Sequence, residues 1–301
     1  MEKKVGFVGL GQMGKGMALN VLKAGFDLTV FDIREEAMNG LASQGAKRAR
    51  SPANLAHQVD WIILSLPDAN VVEQVVFGED GLVQDHEGEL ILVDCGTTDY
   101  QETLRFSRSL QKYGIRFIDA PVTGMDARAR DGTLTIMCGG KEEDVHQIRP
   151  LLEAVGNRIV YMGSVGSGQL TKLVNQLLYN ANVATLAEVL PMAVKLGLDP
   201  EKIAEVINTG SGRSLASEFF LPGILENRFN RAYSLKNAYK DMISAAAISA
   251  ENQIPLPMVH AATTTYQMAL ALGLGDEDKG AMIKVFERVL NVLFRRKPDG
   301  D

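Results

Sequence analysis

Short apolar, β-branched runs recur through the first half of the chain, at Val5–Val8, Leu28–Phe31, Trp61–Leu66, Leu90–Val93, Arg116–Ile118, Leu134–Met137 and Ile159–Tyr161. Between them the apolar residues return every three to four positions. Strand-length runs alternating with helix-period segments predict a mainly parallel sheet with covering helices, because each parallel crossover returns the chain through a helix. From Gly168 onward the pattern changes to alanine- and leucine-rich segments of helical period with no convincing strand. Helices are expected from Ser167 toward Lys195, bent near its end by Pro191, and over Pro200–Asn208, Leu235–Asn252, Pro257–Leu272 and Glu277–Phe294. The last residues, Arg295 to Asp301, read as a frayed tail. The predicted class is α/β: a doubly wound sheet over residues 1–163, then an all-helical domain over 164–301. The boundary falls near Gly163–Gly166, and a long interdomain helix joins the two parts.

Composition narrows the function. The chain has 301 residues, 46% of them apolar, and a formal charge of −6. That is enough apolar material for about two domains, and the acidic balance argues against nucleic acid or an anionic membrane as partner. A small molecule is the expected partner. The two cysteines, Cys95 and Cys138, offer neither a disulfide framework nor paired metal ligands, and the four histidines are scattered without ligand spacing. The chain opens on a strand-like run without the apolar core of a signal peptide, and no other stretch is expected to reach the ~18 apolar residues of a membrane span. A cytoplasmic location is expected.

The first candidate chemistry follows the first strand. Gly9-Leu10-Gly11-Gln12-Met13-Gly14 joins a strand to an amphipathic helix, the context a dinucleotide fingerprint requires. Gly9 would permit the tight turn, Gly11 the approach of the backbone to a pyrophosphate, and Gly14 close helix packing; Gln12 and Met13 lie between them at the helix start. Asp32, at the end of the second run, is placed to bind both ribose hydroxyls of the adenosine half. Its carboxylate repels a 2′-phosphate, so NAD (NADH) is expected over NADP, with Arg34 softening the preference. Leu66 and Pro67, and the Asp94-Cys95-Gly96-Thr97-Thr98 turn, end further strands and are expected to line the same crevice. Each alone also reads as a plain turn.

The second candidate lies at the domain junction. Lys172, Asn175, Gln176 and Tyr179 share one face of the long helix, whose other faces are apolar. A half-buried lysine there would have its pKa lowered by desolvation and could exchange protons near neutrality, while the carboxamides could donate to an oxygen gaining negative charge. A solvated lysine with amides bonding neighbouring helices fits the spacing equally well. Upstream, Asp119-Ala120-Pro121-Val122-Thr123-Gly124 follows a strand and could present a hydroxyl and backbone N–H groups to a carboxylate, or be a bare turn.

Together these motifs make the chain resemble the β-hydroxyacid dehydrogenase family, which includes 3-hydroxyisobutyrate dehydrogenase and tartronate semialdehyde (2-hydroxy-3-oxopropionate) reductase. The resemblance covers nearly the full length, through Phe7–Gly14, Asp119–Gly124, Gly168-x-x-x-Lys172-x-x-Asn175-Gln176 and Lys240-Asp241. It implies a Rossmann domain followed by a helical one, with the active site between them. It also implies Lys172 as catalytic acid/base, Thr123 and Gly124 on the substrate carboxylate, and Asn175 and Gln176 orienting the substrate. Lys240 would close over cofactor and substrate, Thr97 would lie beside the nicotinamide ribose, and the chain would form a homodimer or homotetramer. The chain departs from the family after Gly124, where Met125 and later residues replace glycines and Arg128 and Arg130 appear.

Three readings compete. In the first, Lys172 exchanges the hydroxyl proton as hydride passes between the carbinol carbon and nicotinamide. In its variant, Arg128 or Arg130 meets a second anionic group (carboxylate, sulfonate or phosphate) on the substrate. The alternative of another class is a non-catalytic dinucleotide sensor. Oxidation coupled to decarboxylation, as in 6-phosphogluconate dehydrogenase, is disfavoured because the longer helical domain of that enzyme is absent.

Overall fold

The structure, a computed structural model, describes residues 3–84, 86–230 and 233–296. By internal contacts the chain divides into Met1–Lys172 and Leu173–Asp301. The first unit holds nine strands: β1 (Lys4–Val8), β2 (Asp27–Phe31), β3 (Lys47–Arg48), β4 (Trp61–Leu64), β5 (Leu90–Asp94), β6 (Ile115–Asp119), β7 (Val122–Thr123), β8 (Leu134–Gly139) and β9 (Gly156–Gly163). It also holds α1 (Gly14–Lys23), α2 (Glu35–Ala42), α3 (Pro52–Ala56), α4 (Ala69–Phe77), α5 (Tyr100–Leu110), α6 (Met125–Asp131), α7 (Glu142–Gln147) and α8 (Arg149–Val155).

The strand order is β3-β2-β1-β4-β5-β6-β8-β7, parallel from β3 to β6. The order reverses between β1 and β4, the switch point at which doubly wound sheets hold ligands. Beyond β6 the sheet turns antiparallel: β6 and β7 run consecutively along β8, pairing Asp119 with Gly139 and Val122 with Ile136, while β9 joins β8 in parallel. Residue alternation sorts the core onto two faces. Val5, Phe7, Ile63, Ile91 and Val93 pack with α1 residues Met17 and Val21 on one face. Val8, Ile62, Leu64, Leu90 and Leu92 pack with Leu55, Val72 and Phe106 on the other.

The seven expected strands are present, with the third ending at Leu64 rather than Leu66. Two were missed. β3 is the dipeptide Lys47-Arg48, exposed and charged, and β7 lies just past Pro121; neither carries an apolar run that a pattern could register.

Helix α9 (Ser167–Lys195) has 29 residues, with Pro191 inside it. Against the expectation that no stretch reaches that length, it is, among the described residues, the one helix long and apolar enough, by length and composition, to cross a membrane; 44% of that window is buried. Buried core helices also meet that description. The second unit continues with α10 (Pro200–Thr209), α11 (Leu215–Leu225), α12 (Leu235–Asn252), α13 (Pro257–Ala271) and α14 (Ile283–Leu290). Val183, Leu186, Leu190, Phe220, Leu235, Met242, Tyr266 and Phe294 are among its buried core.

Two corrections belong to this unit. α11 was not expected, because Pro222 interrupts its pattern, yet Ser214 and Ser217 cap it reciprocally. The last helix is shorter than Glu277–Phe294: a 3-10 turn covers Lys279–Met282, and Asn291, at φ 53°, ends α14. The chain then does not fray at Arg295, whose guanidinium holds the buried Glu287 carboxylate at 2.5 and 3.0 Å, and Arg296 N–H donates to Leu225 O at 2.9 Å. The remainder of the expected tail, 297–301, lies outside the described residues.

Candidate functional site

The three fingerprint glycines differ in what surrounds them. Gly9 has φ 92°, and a Cβ there would lie 2.4 Å from Ser65 O; a Cβ on Gly14 would lie 1.9 Å from Gly9 O. Both glycines are therefore required by the protein's own packing. A Cβ on Gly11 would meet nothing within 4 Å. The space over Gly11 is open at the carboxyl end of β1, beside the start of α1, whose N-cap residue Met13 provides no side-chain cap. Uncapped N–H groups at a helix start beside open space fit the pyrophosphate of a dinucleotide, with Gly11, Gln12, Met13 and Gly14 as its cradle.

Asp32 closes this end. Its Oδ2 accepts from Leu10 N–H at 2.6 Å, and its Oδ1 accepts from Arg34 N–H at 2.9 Å and Arg34 Nε at 3.1 Å. Burial acts to raise its pKa, but the hydrogen bonds from Arg34 and Leu10 and the Arg34 charge outweigh it, so the carboxyl is held below its ordinary range. Arg34 also donates to Leu10 O at 3.1 Å. The guanidinium thus spans the acidic residue and the glycine turn.

Leu66 and Pro67 follow β4, with Pro67 exposed and Leu66 beside Gly9. Thr97 follows β5 and is exposed, between two residues that are fixed. Gly96 N–H donates to Asp94 Oδ1 at 2.9 Å, and Thr98 Oγ1 donates to Asp94 Oδ2 at 2.6 Å. Desolvation of the fully buried Asp94 raises its pKa against those bonds.

Lys172 is 9% exposed, and its Nζ donates to Val122 O at 2.9 Å. The solvated-lysine reading is thereby set aside. The ammonium lies against β7, whose next residues are Thr123 and Gly124. Gly124 has φ 140° and Met125 φ 64°, so the position where the family has a second glycine keeps a glycine-like backbone under a methionine side chain. The segment after Gly124, which carries Arg128 and Arg130, is helix α6. It is docked on α1 where Gly16 faces Ala129, and Asn20 Nδ2 donates to Ala129 O at 2.8 Å. Of the two arginines, Arg130 pairs with Asp126 at 2.9 Å. The Arg128 side chain folds over Gly124, its Cδ 2.6 Å from where a Cβ would be.

Asn175 and Gln176 lie one turn along α9 from Lys172. Asn175 is exposed, and Gln176 Nε2 donates to Asp241 Oδ2 at 3.3 Å, beside the exposed Lys240. Sequence reasoning missed Lys279, which is 2% exposed, donates to Asn180 Oδ1 at 2.8 Å and lies 4.0 Å from the Tyr179 ring centroid. It also missed Gln169, buried at 3% and bonded to Gly96 and Thr98. A glutamine just after Gly166-Ser167-Gly168 carries no motif by itself; only its partners mark it.

Known proteins resemble the chain along nearly its whole length. Residues 4–163 match the model of the NAD binding domain of 6-phosphogluconate dehydrogenase, and residues 166–286 that of the NAD-binding of NADP-dependent 3-hydroxyisobutyrate dehydrogenase. The chain is 38% identical over 295 residues to 2-(hydroxymethyl)glutarate dehydrogenase of Eubacterium barkeri, covering 97% of this chain and 98% of the relative. It is 35% identical over 288 residues to a probable mitochondrial 3-hydroxyisobutyrate dehydrogenase of Dictyostelium discoideum, covering 92% and 88%. Among solved structures, a 3-hydroxyisobutyrate dehydrogenase from Salmonella typhimurium superposes with a TM-score of 0.87 at 27% identity, covering 94% of this chain and 100% of the other.

Proposed function

We propose, from the premise that the chain belongs to the β-hydroxyacid dehydrogenase family and is an NAD(P)-dependent enzyme acting on a CH–OH group, that it interconverts a small β-hydroxyacid and its semialdehyde with Lys172 as acid/base. The observation that carries this reading is the placement of Lys172, buried, with Nζ 2.9 Å from Val122 O on the strand that leads into Thr123 and Gly124. A carboxylate held by the Thr123 hydroxyl and Gly124 N–H would bring the β-carbon oxygen of the same molecule toward that ammonium.

A bound nicotinamide would supply or accept the hydride. The chain's own residues manage position and proton. In the reducing direction Lys172 Nζ gives a proton to the aldehyde oxygen, leaving a hydroxyl; in oxidation it takes that proton back. Asn175 and Gln176, on the next turn of the same helix, are the carboxamides assigned to orient the substrate. NAD is the preferred cofactor, because Asp32 is kept anionic at the adenosine end and opposes a 2′-phosphate. Arg34 lies within 3.1 Å of that carboxylate and lets NADP act as a weaker substitute.

A variant of this reading has an observation of its own. The glutarate relative is named for a dicarboxylic acid, and Arg128 covers Gly124 at the proposed carboxylate turn. Arg128, rather than Arg130 with its Asp126 partner, is then the group that would meet a second anion.

The test is oxidation of NADH and of NADPH with short semialdehydes carrying one or two anionic groups, beside Lys172→Ala. We expect turnover favouring NADH that falls by about 10³-fold in the variant, in the range for loss of a general acid/base. Binding of NADH without Lys172-dependent turnover across the panel would instead identify a sensor.

A further inference from the structure

The start of α9 is wedged against the ends of two strands, β6 and β8. A Cβ on Gly168 would lie 2.3 Å from Met137 O and 2.8 Å from Asp119 O, and a Cβ on Gly139 would lie 2.8 Å from Gly168 N. Both glycines are what permits the approach. Asp119, at the end of β6, accepts from Gly166 N–H at 2.7 Å and from Gln169 N–H at 2.9 Å. Its carboxylate therefore satisfies N–H groups that the first turn of a helix leaves without intrahelical partners.

The Gln169 side chain extends the attachment to β5. Its Nε2 donates to Gly96 O at 2.9 Å, and its Oε1 accepts from Thr98 N–H at 3.3 Å. One carboxamide thus makes both halves of a strand-like pairing with the backbone on either side of Thr97. The far side of the same loop is held by Asp94 through Gly96 N–H and Thr98 Oγ1. Thr97, the exposed residue at the centre, has a fixed backbone on both sides. Three residues along the helix from Gln169 stands Lys172, on the next turn.

We infer that Gln169 is a positioning residue for the reaction: its carboxamide ties the Gly96–Thr98 loop to α9 and so fixes Lys172 in register with Thr97 at the cofactor crevice. This rests on the functional reading above and adds to it a residue that touches neither substrate nor cofactor. The physical demand is alignment. The loop and the lysine belong to elements far apart in sequence, and without the clip each could shift by a fraction of an ångström while remaining folded. Displacements near 1 Å cost up to about 100-fold in rate.

The experiment compares wild type, Lys172→Ala, Gln169→Met and Gln169→Glu as NADH-bound protein. Methionine keeps the length and removes both bonds; glutamate keeps an acceptor for Thr98 N–H and loses the donor to Gly96 O. Expected is a graded fall in kcat, up to about 100-fold in the methionine variant and less in the glutamate one. Within about threefold, KM and NADH affinity stay unchanged. In the reducing direction, the primary deuterium isotope effect with NADH deuterated at the transferred hydrogen should rise as hydride transfer becomes limiting. If Gln169→Met fails to fold, the glutamate variant carries the same comparison. Wild-type kcat and isotope effect in both variants, with only a lower Tm, would overturn the inference while leaving Lys172 in place. Wild-type turnover that does not depend on Lys172 would sink the functional reading, and this inference with it.

Discussion

At the scale of single residues, the two kinds of glycine in the first turn make opposite predictions. Gly14 is pressed against Gly9 O and Gly9 against Ser65 O, so a methyl group at either must displace backbone. Gly11 faces open space. Gly14→Ala is therefore expected to unfold or strongly destabilise the first unit, whereas Gly11→Ala should keep its thermal stability and weaken NADH binding by at least about tenfold, since its methyl group intrudes only where a ligand approaches. Isothermal titration with NADH beside thermal unfolding checks the pair; wild-type affinity in Gly11→Ala would remove the pyrophosphate assignment. Gly9, Gly11 and Gly14 were legible as a motif, but their separate duties appear only from what lies across each Cα.

At the scale of elements, the attachment of α9 to β6 carries a pH dependence. Burial raises the Asp119 pKa to about 6; its hydrogen bonds from Gly166 and Gln169 oppose the shift, and the charge of Asp94 adds to it. The Cys138 thiol is in turn pushed up to about 12 by burial and by the Asp119 charge. The folded state therefore binds the Asp119 proton more tightly than the unfolded chain, whose carboxyl keeps the ordinary value near 3.8. The stability this proton contributes is full at low pH and is lost as pH rises through about 6. Between pH 4.5 and 7 the stability difference between wild type and Asp119→Asn should fall by about 2 kcal/mol, read from urea unfolding at each pH. A difference that grows with pH would mean that the N–H bonds at the start of α9 outweigh the cost of burying the charge.

At the scale of the whole molecule, α9 leaves an apolar stripe uncovered within the second unit. Val174, Leu178, Val189 and Met192 on the helix, and Leu196 just past its last residue, are 58%, 66%, 39%, 51% and 72% exposed. With Thr185 they recur at intervals of three, four and seven residues, the spacing by which one helix seats against another. A stripe of this kind is self-complementary under a two-fold axis, so a second copy of the chain is the expected occupant. Light scattering after gel filtration should give at least a dimer, and Met192→Glu with Leu196→Glu should shift it toward monomer. A wild-type monomer at micromolar concentration would dismiss the idea.

The sequence by itself determined the order of strands and helices, the glycine turn, the acidic residue after β2 and the polar face of α9, because those follow from local periodicity and from residue types with few alternative uses. It did not determine β3 or β7, whose side chains lack an apolar rhythm and whose pairing partners lie in other segments, nor α11, whose apolar pattern is interrupted by Pro222. Nor did spacing decide whether Lys172 was solvated; its burial and its bond to Val122 O arise from β7, fifty residues upstream. The tertiary structure alone separated Arg128 from Arg130 and brought Gln169 to Gly96 and Thr98. A side chain's hydrogen-bond partners are set by which backbones the fold makes adjacent, and one-dimensional spacing carries that information only within a single turn or strand.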